Sequence, residues 1–420
     1  MIAVTFSDAL KVWIKIGCLS FGGPAGQIAL MHREFVDERK WLTEKEYLSA
    51  LNFCMLLPGP EAMQLATYVG WKMFGVRGGL AAGLAFVIPG ALVVLALTMI
   101  YASFGQVGWI AALFFGVKAA VLAVVVEALL RVSKRALKDV QDWVLAGIAF
   151  VALFVFDVPF PVIIIAAAVF GWVTCPGDAR AAPDFPSPRA LIVNVTVWGA
   201  IWLVPLAGLA AALGPQHVFT EVGVFFSKLA VVTFGGAYAV LSYMSQAAVE
   251  QKQWLAPHEM IDGLGLAETT PGPLILVTEF VGYHAGLRQA GGVWGGLAAA
   301  GITLWMTFAP CFMFIFAGAP YIGAINARPR LRGALACITA TVVGVILNLT
   351  VWFGLQILFG SVARSEGWFR PWIPDWSQLD LAALTLCALA GGMLLRLHFS
   401  LPKVLAICAV LGLVYKLAVT

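Results

Sequence analysis

The chain of 420 residues is too apolar and too poor in charge to be a water-soluble protein. Hydrophobic residues make up 61% of it, charged residues only 11%, and the mean hydropathy is +0.92, whereas soluble chains keep about a quarter of their residues charged. The net charge of +4 resides on basic residues in short loops between apolar runs. That distribution indicates orientation in a membrane and excludes a nucleic-acid-binding surface.

Thirteen apolar segments along the chain are predicted to form membrane helices, because about 20 apolar residues cross the hydrocarbon core. Four of them, in two consecutive pairs, are short for a full crossing, and each pair either crosses or forms a shallow hairpin. The pattern predicts an all-α polytopic membrane protein. In chain order the segments are 6–30, 47–74, 78–104, 108–130, 142–157, 159–175, 190–213, 222–246, 258–286, 292–318, 333–360, 379–396 and 401–419.

The two halves of the chain share short motifs at one constant spacing. Phe21-Gly22-Gly23 recurs as Phe234-Gly235-Gly236, and Pro58-Gly59-Pro60 recurs as Pro271-Gly272-Pro273, each 213 residues later. Separated matches at a single spacing predict an internal duplication. We therefore predict an N-terminal repeat, a linker loop with a connecting transmembrane helix, and a C-terminal repeat, at residues 1–175, 176–213 and 214–420. Further pairs at this spacing are Lys15 and Lys228, Trp41-Leu42 and Trp254-Leu255, and Glu46 and Glu259.

The basic clusters predict that the two repeats cross the membrane in opposite directions. Arg131–Lys138 follows the 108–130 segment, whereas Arg328–Arg332 precedes the matching 333–360 segment. If both clusters are cytoplasmic, as basic loops usually are, the matching helices run oppositely. The basic residues of the predicted external loop 31–46 run against this rule. Inverted repeats are typical of secondary transporters, whose substrates bind near the membrane midplane between the repeats.

The two Pro-Gly-Pro triplets predict broken helices. Proline removes a backbone donor and clashes with the preceding turn, so segments 47–74 and 258–286 must break there. Proline favours the first position of a new helix, which we expect for Pro60 and Pro273. The free N–H groups of the turns that follow would point into the breaks, and a helix N-terminus suits an anion. These turns are Glu61–Gln64 and Leu274–Val277.

The Gly-Gly pairs allow two interpretations. Paired glycines let a helix kink near a ligand, and they also let two membrane helices pack closely. Pro24 follows the first pair, but Ala237 stands at the matching position of the second. The second half is therefore predicted to kink without opening a new helix at a proline.

Charged residues inside the apolar segments are functional candidates, because they are costly in a membrane. Lys15 and Lys228 precede the Phe-Gly-Gly motifs, where they either bind the substrate or extend their ammonium groups to the interface. Glu61 either caps the new helix or acts as a proton-linked switch. The other charges within the segments are Lys118, Glu127, Glu268 and Glu279.

No sequence feature predicts a metal site, a cofactor or an enzyme. The seven cysteines form no Cys-x-x-Cys pair and are widely spaced, which argues against a disulfide framework or a zinc site. There is neither a dinucleotide-binding fingerprint nor a Walker A sequence. A membrane-bound reductase is disfavoured, because no haem motif or cysteine cluster could carry electrons.

Two stretches carry a family resemblance. The stretch SFGGPAGQIALMHREFVDERKWLTEKEYLSALNFCMLLPGPEAMQLATYVGW resembles the N-terminal half of the chromate ion transporter family, and TFGGAYAVLSYM with WLAPHEMIDGLGLAETTPGPLILVTEFVGY resembles its C-terminal half. The chain resembles the long, two-domain form of that family. The resemblance implies a multi-pass protein of the bacterial inner membrane that exports chromate and confers chromate resistance, with sulfate as a competitor.

The predicted helix breaks, the charged residues near them and the family resemblance together predict the substrate contacts. The sequence is compatible with either a monomer or a homodimer, and the protein is expected to be embedded in the lipid bilayer. A transporter for sulfate or another oxyanion, and a passive anion channel, remain as alternative functions. The predicted contacts are Lys15, Phe21, Gly22, Gly23, Pro58, Gly59, Pro60, Glu61, Gln64, Lys228, Gly235, Gly236, Thr270, Pro271, Gly272 and Pro273.

Overall fold

The computed structural model describes residues 4–21, 23–105, 107–175, 188–234, 237–322, 328–365 and 367–419. Most of these residues are helical, which confirms an all-α polytopic architecture. Helices of the first half are α1 (Phe6–Leu19), α2 (Gly23–His32), α3 (Glu44–Leu56), α4 (Glu61–Phe104), α5 (Gly108–Ala136), α6 (Val140–Phe154), α7 (Phe160–Thr174) and α8 (Pro188–Leu213). Those of the second half are α9 (Val218–Val232), α10 (Ala237–Gln246), α11 (Pro257–Thr269), α12 (Val277–Gln289), α13 (Val293–Gly318), α14 (Pro329–Leu358), α15 (Leu381–Leu395) and α16 (Leu401–Val419).

Short elements that the hydropathy pattern did not predict join these helices. Strands β1 (Val362–Arg364) and β2 (Trp372–Pro374) form an antiparallel hairpin in which Ala363 pairs with Ile373. Two π-helical segments, Arg33–Glu38 and Ala247–Gln251, continue α2 and α10. Single 3-10 turns lie at Leu274–Leu276, Ala319–Tyr321 and Trp376–Gln378.

The helices break where the sequence predicts. A gap at Pro58–Pro60 separates α3 from α4, and the matching triplet separates α11 from the 3-10 turn before α12. Segments 6–30 and 222–246, each predicted as one span, are two helices divided at Phe-Gly-Gly. The helices are therefore interrupted between Leu19 and Gly23 and between Val232 and Ala237.

Helix α4 consists of two arms that form a hairpin. Phe74 and Gly75 have non-helical backbone angles, and the φ of Gly75 is 63°. A β-carbon on Gly70 would overlap the carbonyl of Gly78 and the side chain of Ala82. In a straight helix Gly70 and Ala82, twelve residues apart, would be separated by about 18 Å. The chain therefore reverses between the arms, which agrees with the predicted separate segments 47–74 and 78–104.

The same hairpin recurs in the second half between α12 and α13. A β-carbon on Gly286 would overlap the carbonyl of Gly295 and the side chain of Ala299. These two residues belong to the Gly-Gly-Leu-Ala-Ala stretch that matches the one containing Gly78 and Ala82. The duplication predicted from the sequence is thus also present in backbone contacts.

A matched hydrogen bond from the glutamate to the N-cap backbone explains why Glu46 and Glu259 recur, although only Thr43 adds the side-chain half of a capping box. The Oε2 atom of Glu46 accepts the backbone N–H of Thr43 at 2.9 Å, and that of Glu259 accepts the backbone N–H of Ala256 at 2.8 Å. Each carboxylate thereby satisfies an N–H group at the start of α3 or α11. The ammonium of Lys72, 2.6 Å from Glu46, and the Thr43 cap hold the pKa of Glu46 at about 2.

Helix length limits which elements can cross a bilayer. Among the described residues, six helices are long and apolar enough by length and composition: α4, α5, α8, α13, α14 and α16. Helices α6, α7 and α15 have 15 residues each, about 22 Å, against about 30 Å of hydrocarbon. Three of the four segments predicted to be short are therefore short, and α16 is the exception.

The chain forms two compact units, each built from both halves. The first unit contains Met1–Thr98, Pro176–Ala237 and Thr270–Arg332, and the second contains Met99–Cys175, Tyr238–Thr269 and Gly333–Thr420. The repeat boundaries at 175 and 214 refer to the duplication in the sequence and remain a prediction. The first unit holds both Pro-Gly-Pro breaks.

Helix α5 is central to the second unit. It packs against α11, α15 and α16, with Ala120, Ala123 and Val124 in contact with an apolar cluster that includes Val404 and Cys408.

The β1–β2 hairpin is anchored by Arg364, whose guanidinium lies 2.9 Å from Asp157 and 2.7 Å from Glu250.

Candidate substrate site at the crossed helix breaks

The four repeated motifs meet within the first unit through crossed hydrogen bonds. The N–H of Gly59 donates to the carbonyl of Thr233 at 2.8 Å, and the N–H of Gly272 donates to the carbonyl of Ser20 at 3.0 Å. Ser20 and Thr233 directly precede the two Phe-Gly-Gly motifs and are 213 residues apart, as are the two glycines. Each Pro-Gly-Pro break is therefore held by the Phe-Gly-Gly loop of the other half.

Matched backbone turns present these carbonyls. Ser20 has φ −76° and ψ 65°, and Thr233 has φ −76° and ψ 74°, both close to the inverse γ-turn. In each turn the next phenylalanine N–H donates two residues back, at 2.9 Å. The hydroxyl of each central residue donates to the carbonyl four residues earlier, at 2.5 Å. Serine and threonine thus end α1 and α9 in the same way.

Glycine is required at the centre of both breaks. The φ of Gly59 is 120° and that of Gly272 is 92°, a region that other residues adopt only under strain. A β-carbon on Gly59 would lie 2.8 Å from the sulfur of Cys311, on α13, and one on Gly272 would lie 3.2 Å from the Cα of Gly90, on α4. Each break therefore also packs against a hairpin arm of the other half.

The flanking prolines precede the new helices by one residue. The carbonyl of Pro60 accepts the N–H of Gln64 at 3.0 Å, and α4 begins at Glu61. The carbonyl of Pro273 accepts the N–H of Leu276 at 2.9 Å, which begins a 3-10 turn. The expectation that Pro60 and Pro273 occupy the first helical position was wrong by one residue, because each proline supplies the first acceptor as an N-cap does. The two helix starts also differ, one being α-helical and the other 3-10.

Two buried glutamines bind the carbonyls that the breaks leave open. The amide nitrogen of Gln27 donates to Gly272 at 2.6 Å and lies 3.3 Å from the carbonyl of Ser20, so it contacts both partners of one crossed hydrogen bond. The amide nitrogen of Gln64 donates to Pro58 at 2.7 Å. Both side chains are almost fully buried, at 1% and 0% exposure, and the remaining oxygen of Gln64 has no hydrogen-bond partner in the described part of the chain.

Comparison with known proteins identifies the family to which this chain belongs. A family model described as chromate transporter matches residues 7–172 and 220–413, which together contain all four motifs. The chain belongs to the chromate transporter family. The family model matches the chain in two separate regions, one in each half.

Individual relatives share this similarity over most of their length. A chromate transport protein of Pseudomonas aeruginosa is 32% identical over 83% of this chain and 81% of its own. A chromate transport protein of Cupriavidus metallidurans is 28% identical over 83% and 82%, and a probable one of Synechococcus elongatus 27% over 87% and 91%. These relatives are transport proteins, which confirms the prediction that this family member is not an enzyme. No solved structure matches the chain.

The two predicted lysine contacts lie in different surroundings in this family member. The ammonium of Lys15 is 2.6 Å from a carboxylate oxygen of Glu34, whose side chain is fully buried, and Arg39 lies 3.2 Å from the other oxygen. Lys228 is exposed and forms no ion pair with any described residue, because the position that matches Glu34 is Ala247. The duplicated lysines therefore do not form a symmetric pair of cations.

The other predicted contacts are distributed as follows. Phe21 is exposed, Gly23 opens α2 with φ 69°, and Glu61 is the partly exposed first residue of α4. Thr270, at the second break, is buried. Gly22, Gly235 and Gly236 lie outside the described residues. The structure thus brings together Pro58–Gln64 with Thr233, and Pro271–Pro273 with Ser20.

Gln27 is a site residue that sequence reasoning missed. It lies within the family stretch FGGPAGQ, and a polar amide on an otherwise apolar helix was the available signal. Its repeat counterpart is Val240, and that of Gln64 is Val277. The duplication therefore could not reveal either glutamine, since each acts in only one half.

We predict that Lys15→Gln destabilises the protein by about 2 kcal/mol, because buried Glu34 would then have only Arg39 as a charged partner. The double variant Lys15→Gln/Glu34→Gln should recover much of this loss. Thermal unfolding in detergent of the four members of the cycle measures the coupling. Lys11→Gln is the control, since that lysine and its partner Asp8 are 75% and 62% exposed. If Lys15→Gln left stability unchanged but weakened chromate binding, Lys15 would be a substrate ligand instead.

Proposed function

We propose that this chain is a secondary-active transporter that exports chromate across the bacterial inner membrane and confers chromate resistance. The observation that carries this proposal is the pair of crossed hydrogen bonds from Gly59 to Thr233 and from Gly272 to Ser20. Broken helices joined in this reciprocal way place irregular backbone inside the first unit, as substrate sites of secondary transporters do. Membership of the chromate transporter family supports the choice of substrate.

The chemistry of a helix start explains how a tetrahedral dianion would be bound. The first N–H groups of α4 have no acceptor within the helix, and the helix dipole places partial positive charge there. Ala62 and Met63 in this turn are buried, at 2% and 0% exposure, so hydrogen bonds to an oxyanion would be formed away from bulk water. The breaks at Pro58–Pro60 and Thr270–Pro273 are therefore the proposed substrate contacts, and sulfate is the proposed competitor.

Efflux is the direction that the membrane potential favours. Moving one charge across 100 mV is worth about 2.3 kcal/mol, so a dianion leaving a negative interior gains about 4.6 kcal/mol. A potential alone would thus drive export. The opposite orientation of the repeats in the membrane remains part of the same proposal, based on the basic clusters at 131–138 and 328–332.

Chromate flux from proteoliposomes tests the proposal. A potential that is negative inside, imposed with potassium and valinomycin, should accelerate exit of trapped chromate and sustain it against a chromate gradient. Excess internal sulfate should slow it. Chromate movement only down its electrochemical gradient, with no response to an imposed pH or counter-anion gradient, would indicate a channel. Transport of sulfate with no chromate movement would indicate another oxyanion transporter.

A further inference from the structure

The second unit contains a buried ion pair that the crossed breaks do not account for. Asp262, on α11, accepts the hydroxyl of Tyr101 at 2.7 Å through its Oδ2 atom. The ammonium of Lys118, on α5, lies 3.4 Å from the same oxygen. The Asp262 side chain is 4% exposed and that of Lys118 is 22% exposed. The consecutive helices α4 and α5 thus converge with the distant helix α11 on one carboxylate.

Close helix packing fixes the position of this carboxylate. Helices α5 and α11 touch at Gly265, where a β-carbon would lie 2.6 Å from Val117 and 3.2 Å from Val121. Asp262 is one turn before Gly265, on the same face of α11. The apolar contact therefore holds Asp262 and Lys118 beside each other.

The two oxygens of Asp262 are used unequally. Oδ2 serves both donors, whereas Oδ1 is buried and has no hydrogen-bond partner among the described residues. A buried carboxylate that only stabilises the fold normally has both oxygens satisfied, because an unmade hydrogen bond in the interior costs free energy. Oδ1 is therefore an acceptor without a partner, nine-tenths buried, and it can take up a proton.

Glu259 is the further charged group that acts on Asp262 from the same helix. Glu259, one turn earlier on α11, is committed to the N–H of Ala256. Helix α16 also packs against α11, and its lysines, Lys403 and Lys416, lie near its two ends. The ammonium of Lys416 is 4.7 Å from the ring centre of Phe115, on α5. The pair is thus close to neutral, and one added proton gives it a net positive charge.

We infer that Asp262 is the proton-binding site of this transporter, the group through which a pH gradient acts on substrate movement. A proton from water binds Oδ1, the carboxylate loses its charge, and Lys118 becomes an unpaired cation at the α5–α11 interface. Ionisable groups within membrane segments mark proton relays and ion pathways. This inference rests on the proposed transport function.

Glu268 provides a matched control on the same helix. It is also buried, at 6% exposure, and accepts the hydroxyl of Tyr238 at 2.7 Å. It takes no part in the ion pairs of Lys118 with Asp262 and of Arg131 with Glu127. Glu268→Gln therefore removes a buried carboxylate bonded to a tyrosine while the Asp262–Lys118 pair remains.

Chromate flux at zero potential with an imposed pH gradient tests the inference. Wild-type flux should change with the gradient, and Asp262→Asn should lose at least nine-tenths of that response while retaining potential-driven flux. Glu268→Gln should respond as the wild type does. The inference is overturned if the wild type does not respond, if Asp262→Asn keeps its response, or if Glu268→Gln loses it equally.

An infrared measurement separates this inference from the transport proposal. The difference spectrum between acidic and alkaline buffer should contain a protonated-carboxyl band that Asp262→Asn lacks and Tyr101→Phe shifts. The neutral double variant Lys118→Gln/Asp262→Asn should fold and also lack the band. The band alone, without chromate flux, would refute the proposed substrate and leave the proton site standing. A band unchanged by Asp262→Asn would refute the proton site.

Discussion

Replacing Gly59 by alanine is expected to lower chromate flux more than tenfold in correctly inserted protein. At φ 120° an alanine is strained by about 1–3 kcal/mol. Its β-carbon would also lie 2.8 Å from both the sulfur of Cys311 and the amide nitrogen of Gln64. Relief of this overlap moves the break, so the N–H of Gly59 can no longer reach Thr233. The helix start that follows then loses its position.

Flux in proteoliposomes and thermal unfolding of the same preparations measure this effect. Gly272→Ala should behave alike, because that glycine has φ 92° and donates to Ser20. Gly301→Ala is the control, since Gly301 is on α13 in the same unit and its β-carbon would meet no atom within 4 Å. Wild-type flux in Gly59→Ala would show that the geometry of the break is not needed for transport.

The second large effect is expected for Gln27→Leu, which should cost about 2–4 kcal/mol of stability and nearly all flux. Leucine has a similar volume, but it cannot donate to the carbonyls of Gly272 and Ser20, 2.6 and 3.3 Å from the amide nitrogen. An interior carbonyl that loses its donor costs about 1–3 kcal/mol. The loss also weakens the crossed bond between these two residues, which share the glutamine as a neighbour.

Gln141→Leu is the matched control, since that amide makes only a long contact of 4.0 Å with the sulfur of Cys337. Denaturation in detergent and chromate flux should both be close to wild type in this variant. Gln27→Glu keeps the shape of the side chain but replaces the donor with an acceptor, so it should fail as Gln27→Leu does. If Gln27→Glu transported normally, the amide would not be acting as a donor to the break.

The parts of the fold that depend on local backbone chemistry could be predicted from the sequence. Proline and glycine change the backbone wherever they stand, so the breaks at 58–60 and 271–273 follow from the residues themselves. The division of 6–30 and 222–246 into two helices each was not predicted, because paired glycines also fit a kinked or closely packed single span. The duplication could likewise be predicted, because the same residues recur at a constant spacing. The chain reversal at Phe74–Gly75 agreed with two separate apolar segments.

Contacts between distant residues could not be predicted in this way. No pattern in the sequence shows that Gly59 donates to Thr233 or that Lys15 pairs with Glu34. Matched positions suggested that Lys15 and Lys228 have one role, but the partner of the first is absent from the second half. The π-helical segments follow α2 and α10 at matched positions, but no sequence pattern in them distinguishes them from α-helix.

The crossed hydrogen bonds impose an order on biosynthesis. Gly59 leaves the ribosome long before its acceptor, Thr233, has been synthesised. The interval between the synthesis of Ser20 and that of its donor, Gly272, is longer still. Polar backbone at the first break therefore stays without its final partner while most of the second repeat is translated and inserted. Until the second half is inserted, that backbone must form hydrogen bonds with the insertion machinery or with water at the lipid headgroups. In a truncated nascent chain that ends before residue 233, the break between α3 and α4 thus lacks its acceptor. That break would be exposed to quality-control proteases.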